Sequence, residues 1–348
     1  LEILQATSRK RETYEVQFTY SPLWECALGI AAVTNSRLIN TLDKPANYWK
    51  KLRESLSENL SHHLDYVEKN DTWKALLQLL HHDESNTLDE FCNSIDLLED
   101  INFKFICLPY IGEKFQHIRK KAAAGDENAR SELKRITHDN PFFPKYIEFI
   151  STTDTQKLKK HLMDVMTFWY EAVISPDIER TVQILRTDYE SKKQMKEKLS
   201  PEELVQWATG GINYVPEPSV HKVLLISQYV YRPWNIEADI EDTKVFYYPV
   251  ANESLSPDDK YMPNNFLVLK HKALGDELRL RLIKLLSENN QSLQELTDQL
   301  NIGKTTIHHH LKILRAAKLV DITEGKYSLK GNVIELLFKE LEQYIKQS

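Results

Sequence analysis

Between positions 292 and 329 the chain changes secondary structure so often that few folds can accommodate it. Ser292-Leu293-Gln294-Glu295 has the spacing of a capping box and predicts a short helix ending near Leu300. Asn301-Ile302-Gly303 then supplies a tight turn, because Asn and Gly tolerate turn backbone that other residues avoid. Residues 304–317 read as a further helix, with Ile307, Leu311 and Leu314 at i, i+4 and i+7 on one face. Two short strands, 319–323 and 326–329, flank Glu324-Gly325, a two-residue hairpin turn. Upstream, residues 272–289 place Leu278, Leu282, Leu285 and Leu286 on one helical face, with Asp276 as N-cap. A last helix is expected over residues 332–346. Helix, helix, short turn, helix, hairpin is the order of a winged helix-turn-helix.

The turn-following helix has a face suited to a polyanion. No acid occurs from Gln299 to Val320, while Lys304, Lys312, Arg315 and Lys318 do. At about 100° per residue, Thr305, His309 and Lys312 lie opposite the apolar stripe. Thr306 and His308 flank it, and Lys326 lies in the hairpin. Basic side chains would hold phosphates; Thr and His would reach base edges in a major groove. The expected partner is double-stranded DNA, through Lys304, Thr305, Thr306, His308, His309, Lys312, Arg315, Lys318 and Lys326. An ordinary solvated helix face is the plainer reading of the charges taken alone.

Three blocks in this region resemble the arsenical-resistance-repressor (ArsR) family of transcription regulators. Ala273-Leu274-Gly275-Asp276 through Arg279-Leu280-Arg281-Leu282-Ile283 resembles its opening, residues 305–314 its recognition helix, and Ala317-Lys318-Leu319-Val320 its exit into the wing. Glu277 stands where the family often has Pro, and Gly303 where a capping Ser is common. The wing carries only Lys326 and Lys330. The resemblance implies dimerisation through terminal helices, and the last helix offers Val333, Ile334, Leu337, Phe338, Leu341 and Ile345 for a homodimer seam. It also raises metal sensing, but the family's usual ligands are missing. Residues 293–300 have no cysteine pair, and the last helix has no histidine. Adjacent helical residues such as His308-His309-His310 point about 100° apart and do not chelate one ion together. No metal site is expected.

The remaining sequence bounds the rest. Of 45 basic and 51 acidic residues, 13 and 10 fall in residues 266–348, leaving that segment mildly basic and the remainder acidic. Two parts with different partners are expected: residues 1–251 and residues 266–348, joined by a Pro/Asn/Asp-rich linker over 252–265. Cys26, Cys92 and Cys107 are too widely spaced for a zinc ribbon and fit free thiols in a reducing cytoplasm. The small-apolar run 26–33 is far below the ~20 residues that span a bilayer. Gly303-Lys304-Thr305 mimics the end of a phosphate loop, but Asp298 stands where that loop needs Gly. No nucleophile elbow, metalloprotease or dinucleotide motif occurs, so no cofactor and no enzyme chemistry are indicated.

The fold expected for residues 1–251 is mainly helical with a small sheet. Residues 13–20, 222–231 and 243–250 read as strands, and Ser21-Pro22, Thr87 to Glu90, Ser175-Pro176 and Ser200-Pro201 as helix starts. Gly210-Gly211 reads as a helix stop. The order resembles the long N-terminal extension of some larger ArsR-type regulators, with residues 18–24 and Tyr248-Pro249 as cues. Phe168-Trp169-Tyr170 suits either core packing or the lining of a pocket. The expected function is a sequence-specific, homodimeric transcription repressor, tuned through its N-terminal part by an unidentified small-molecule effector. Two rivals are a protein-interaction scaffold that uses the winged helix without DNA, and an N-terminal enzyme with a DNA-binding tether.

Overall fold

The computed structural model describes residues 13–82, 85–197, 199–256, 259, 261–323, 325–330 and 333–346. Contacts divide them into two units. One holds the described residues up to Leu204 together with Tyr214–Pro249; the other holds Val205–Asn213 and Val250–Ser348. A single cut inside residues 252–265 therefore does not describe the chain. That stretch carries a short helix, Asn252–Leu255, and Asn252 Nδ2 donates to Pro263 O at 2.9 Å. Pro257, part of the expected linker, lies outside the described residues, as do Glu324 of the expected hairpin turn and Asn332 at the expected start of the last helix.

The first unit is built on four strands, β1 (Glu15–Thr19), β2 (Lys222–Gln228), β3 (Ile236–Ile240) and β4 (Thr243–Pro249), in the order β1-β2-β4-β3. β1 pairs parallel with β2, Glu15 opposite Lys222, and β2 pairs parallel with β4. The two inner strands are buried almost throughout, which is why they read as near-continuous Val, Leu, Ile and Tyr runs. β3 is an edge strand not expected from the sequence. Its half-buried Ile236, Ala238 and Ile240 alternate with exposed Glu237 and Asp239, whose carboxylates each sit 3.1 Å from Lys244 Nζ. A short acidic edge discourages pairing with another chain.

Helices fill the chain between β1 and β2. In α1 (Pro22–Val33), Ser21 Oγ accepts from Leu23 N and Pro22 takes the first turn. Every residue from Leu23 to Val33 is buried, so this helix has no polar face and lies inside the unit. Gly29 lets α2 (Thr155–Trp169) close on it: a Cβ there would come within 2.8 Å of Trp169 Nε1. Trp169 is core, with Phe168 and Tyr170 packed partly buried against the same cluster. Among the described residues, no helix is long and apolar enough to cross a membrane.

One buried charge on α1 ties the sheet to the helices. Glu25 accepts from Tyr229 N at 2.5 Å and Val230 N at 2.9 Å, just beyond β2. Burial raises its carboxyl from the ordinary 4.5 to about 7, against the pull of those two N–H groups and Lys44. A raised carboxyl binds its proton more tightly when folded. Its contribution is therefore greatest at low pH and declines as pH rises from about 4.5 to 7. The stability difference between the natural chain and Glu25→Gln should shift in that direction by a few kcal/mol, read from urea midpoints at pH 5 and pH 8. A pH-independent difference would show that Glu25 does not take up that proton.

The second unit contains α3 (Asn265–Leu274), α4 (Glu277–Glu288), β5 (Gln291–Ser292), α5 (Leu293–Leu300), α6 (Lys304–Ala316), β6 (Val320–Thr323), β7 (Lys326–Leu329) and α7 (Val333–Lys346). Its sheet has the order β5-β7-β6, all antiparallel. Leu282, Leu286, Leu296, Ile307, Leu311, Leu314, Leu319 and Tyr327 share one core. This is the winged helix-turn-helix expected from residues 272–346, with α3 added in front. Asn264 caps α3 by accepting from Phe266 N. Asp276 caps α4 as the sequence leads one to expect, and residues 272–274 just before it form the end of α3.

Candidate nucleic-acid interface

The local signals of the helix-turn-helix are all used. Ser292 Oγ accepts from Glu295 N at 3.2 Å while Glu295 Oε2 accepts from Ser292 N at 2.6 Å, closing the capping box of α5. Asn301 takes the left-handed conformation that ends α5, with φ 53°. Gly303 caps α6 through its carbonyl, which accepts from Thr306 N and Ile307 N.

Ile307, Leu311 and Leu314 seat α6 in the core with no solvent exposure. Lys304, Thr305, Thr306, His308, His309, Lys312 and Arg315 are all exposed. The same register that buries the apolar stripe thus lays seven of the nine expected DNA-facing residues on one helix surface. His310 is different. Its Nδ1 faces Arg279 Nη1 at 3.4 Å and Asp276 Oδ1 at 3.6 Å, so the third histidine of the run belongs to the interior brace.

Lys318 and Lys326 stand beyond the helix. Lys318 is half-buried with φ 57°, at the position where the left-handed turn closes α6. Lys318 N donates to Arg315 O and Leu319 N to Leu314 O, a pattern that usually places Gly there. Lys318→Gly should therefore raise the thermal midpoint by a few degrees, corresponding to about 1 kcal/mol of relieved strain. Lys318→Val should lower it. The opposite order in a thermal scan would show that the Lys side chain is worth more than the backbone strain. Lys326 is exposed on β7, which pairs with β6 from Lys326↔Thr323 inward, so the wing presents this lysine at its tip.

A brace that no local pattern singles out holds the module's opening. Asp276 Oδ1 accepts from Arg279 N at 3.0 Å, capping α4. The Arg279 guanidinium turns back to donate to Ala273 O at 2.5 Å and Lys272 O at 3.2 Å. Those are carbonyls of the last turn of α3, which have no partner further along the helix. The Asp276 carboxyl is held below the usual range, first by the Arg279 N–H and then by the guanidinium charge. The Asp-x-x-Arg spacing is visible in the sequence, but its role depends on where α3 ends.

The sequence pattern described as "Bacterial regulatory protein, arsR family" matches residues 276–321, from the cap of α4 to the first residues of β6. The chain is also 32% identical over 68 residues to the transcriptional repressor SdpR of Bacillus subtilis strain 168, covering 18% of this chain and 76% of that protein. The chain belongs to the arsR family. A second relative is the uncharacterized HTH-type transcriptional regulator MJ1325 of Methanocaldococcus jannaschii, 44% identical over 50 residues, or 14% of this chain and 56% of that protein. The family pattern lies in the second unit's module, and each of the matches leaves most of the chain uncovered. No solved structure matches the chain. Family membership makes this a transcription regulator with a DNA-binding helix-turn-helix.

The last helix separates into two faces. Val333 and Leu337 are buried in the module itself, Leu337 at 2% exposure. On the same face Glu340 binds Lys270 Nζ of α3 through both carboxylate oxygens, at 2.7 and 2.8 Å, and Tyr344 Oη donates to Tyr261 O. Ile334, Phe338, Leu341 and Ile345 form the other stripe: Ile334 is half-buried against the module's core, Leu341 is half-buried, and Phe338 and Ile345 stand 67% and 70% exposed. The seam expected from the sequence merges these two faces, because periodicity alone does not tell one apolar partner from another.

Proposed function

We propose that the protein is a sequence-specific, homodimeric repressor that inserts α6 into the major groove of its operator. The observation that carries this reading is the acid-free, exposed face of α6 standing on a buried apolar stripe. With the helix itself fixed from below, Lys312 and Arg315 are placed to meet phosphates while Thr305, Thr306, His308 and His309 are placed to meet base edges. Lys326 adds a phosphate contact from the wing.

The homodimer rests on the outer stripe of α7. Ile334, Phe338, Leu341 and Ile345 are spaced 4-3-4, the repeat by which two helices interlock along a seam. Two-fold symmetry then sets two copies of α6 about one DNA turn, ~34 Å, apart. The Bacillus relative is named a repressor, and repression is proposed for this chain on that similarity. Regulation through the first unit by a small molecule belongs to the same proposal. The test is selection from a randomised duplex library followed by salt-titrated binding to the enriched sequence. Recovery of a palindrome with half-sites one turn apart, bound much more tightly than random duplex, is expected. A flat library would favour the scaffold reading, in which the winged helix meets protein instead.

A further inference from the structure

Val205–Asn213 lies some fifty residues upstream of the winged helix, yet it packs in the same unit. The helix Pro201–Ala208 leads into it, and Gly210 and Gly211 end that helix with φ 68° and 121°. Gly211 N reaches back to Gln206 O at 2.7 Å, and Thr209 Oγ1 accepts from Ile212 N while donating to Val205 O. The result is a stiff strap. Gly210 is pressed under the Phe266 ring of α3, where a Cβ would come within 2.1 Å of ring carbon. A Cβ on Gly211 would meet Lys318 Cβ at 3.4 Å, just past the C-terminal end of the recognition helix.

The strap also holds the wing. Lys330 Nζ donates to Gly211 O at 2.8 Å, with the Asp321 carboxylate 3.6 Å away. Lys330 is a junction in its own right: its N–H closes the hairpin on Leu319 O, and its carbonyl accepts from Val333 N at the start of α7. One side chain therefore connects the strap to the residue where wing, recognition-helix exit and last helix meet. A lysine whose ammonium is already bound to a backbone carbonyl and faces a carboxylate is poorly placed to neutralise a phosphate as well.

We propose that Lys330 is a positioning residue for the wing, acting through its bond to the 209–212 strap, and is not a DNA phosphate contact. The proposal rests on the DNA-binding reading of α6 and adds a second input to it: the strap is the chain's own handle on the wing. The test compares K330M, K330R and K326A in the full chain by hydrogen exchange without DNA and by salt-titrated operator binding. K330M should speed amide exchange in β6 and β7 about tenfold, the effect expected on removing one charge-assisted bond. It should weaken binding while leaving the salt slope unchanged. K330R keeps a donor for Gly211 O and should restore both readouts, including fold if K330M is unstable. K326A should instead lower the slope by about 0.9 for each phosphate that is no longer neutralised. A K330M protein with unaltered wing exchange, or with a reduced salt slope, overturns the proposal. The exchange arm reads out even if operator binding itself fails, so the two readings fall separately.

Discussion

Phe338→Asp combined with Ile345→Asp is expected to give a folded monomer whose operator affinity is lower by about 10²–10⁴-fold, the usual worth of linking two half-site contacts. Both side chains project from the module and take no part in its core, so the carboxylates cost little in the monomer. In a dimer they would be trapped without partners in an apolar seam, where unpaired charge is strongly unfavourable. Light scattering gives the oligomeric state, and circular dichroism confirms the fold. A folded double mutant that remains dimeric would move the interface away from α7. Leu337→Asp is a poor choice for this purpose. Leu337 is buried in its own module, and its replacement should unfold the winged helix whatever the oligomeric state.

The second large effect is expected at α6. Lys312→Ala with Arg315→Ala removes two exposed cations per chain and so four from a dimer. The salt slope should fall by roughly one unit for each phosphate set free, and affinity near physiological salt by at least about 10²-fold. Thermal stability should move by less than about 0.5 kcal/mol, because neither side chain carries core packing. The weakening should be similar on operator and on random duplex, since phosphate contacts position the helix without reading sequence. Thr305 and His309 variants should do the reverse, altering preference among sequences more than overall affinity. Unchanged slope and affinity in the Lys312/Arg315 double mutant would remove α6 as the DNA-facing element.

What the sequence determined by itself is the set of features decided within about ten residues. The capping box at Ser292 and Glu295, the Asn301 and Gly303 turn, and the stripe of Ile307, Leu311 and Leu314 each depend on near neighbours in the chain. Together they sufficed to place the winged helix and its outward-facing residues. Ser21-Pro22 and Gly210-Gly211 were legible for the same reason.

Only the tertiary structure decided the features that join distant positions. β1 pairs with β2 across some two hundred residues, and no local pattern names a strand's partner. Ile236 to Ile240 alternates over only five positions, three of them strand-averse Glu, Ala and Asp, so it does not stand out until β4 lies beside it. Arg279 matters because α3 ends where its guanidinium reaches, and His310 differs from His308 and His309 because Asp276 and Arg279 are there to receive it. The two faces of α7 look alike in sequence, since Leu337 and Leu341 are equally apolar. Packing against α3 buries one face and leaves Phe338 and Ile345 of the other exposed. Lys330 likewise reads as a wing cation until Gly211 O is found 2.8 Å from its nitrogen. Charge and periodicity state what a side chain can do, whereas its partner is set by which surfaces the fold brings within a few ångström of it.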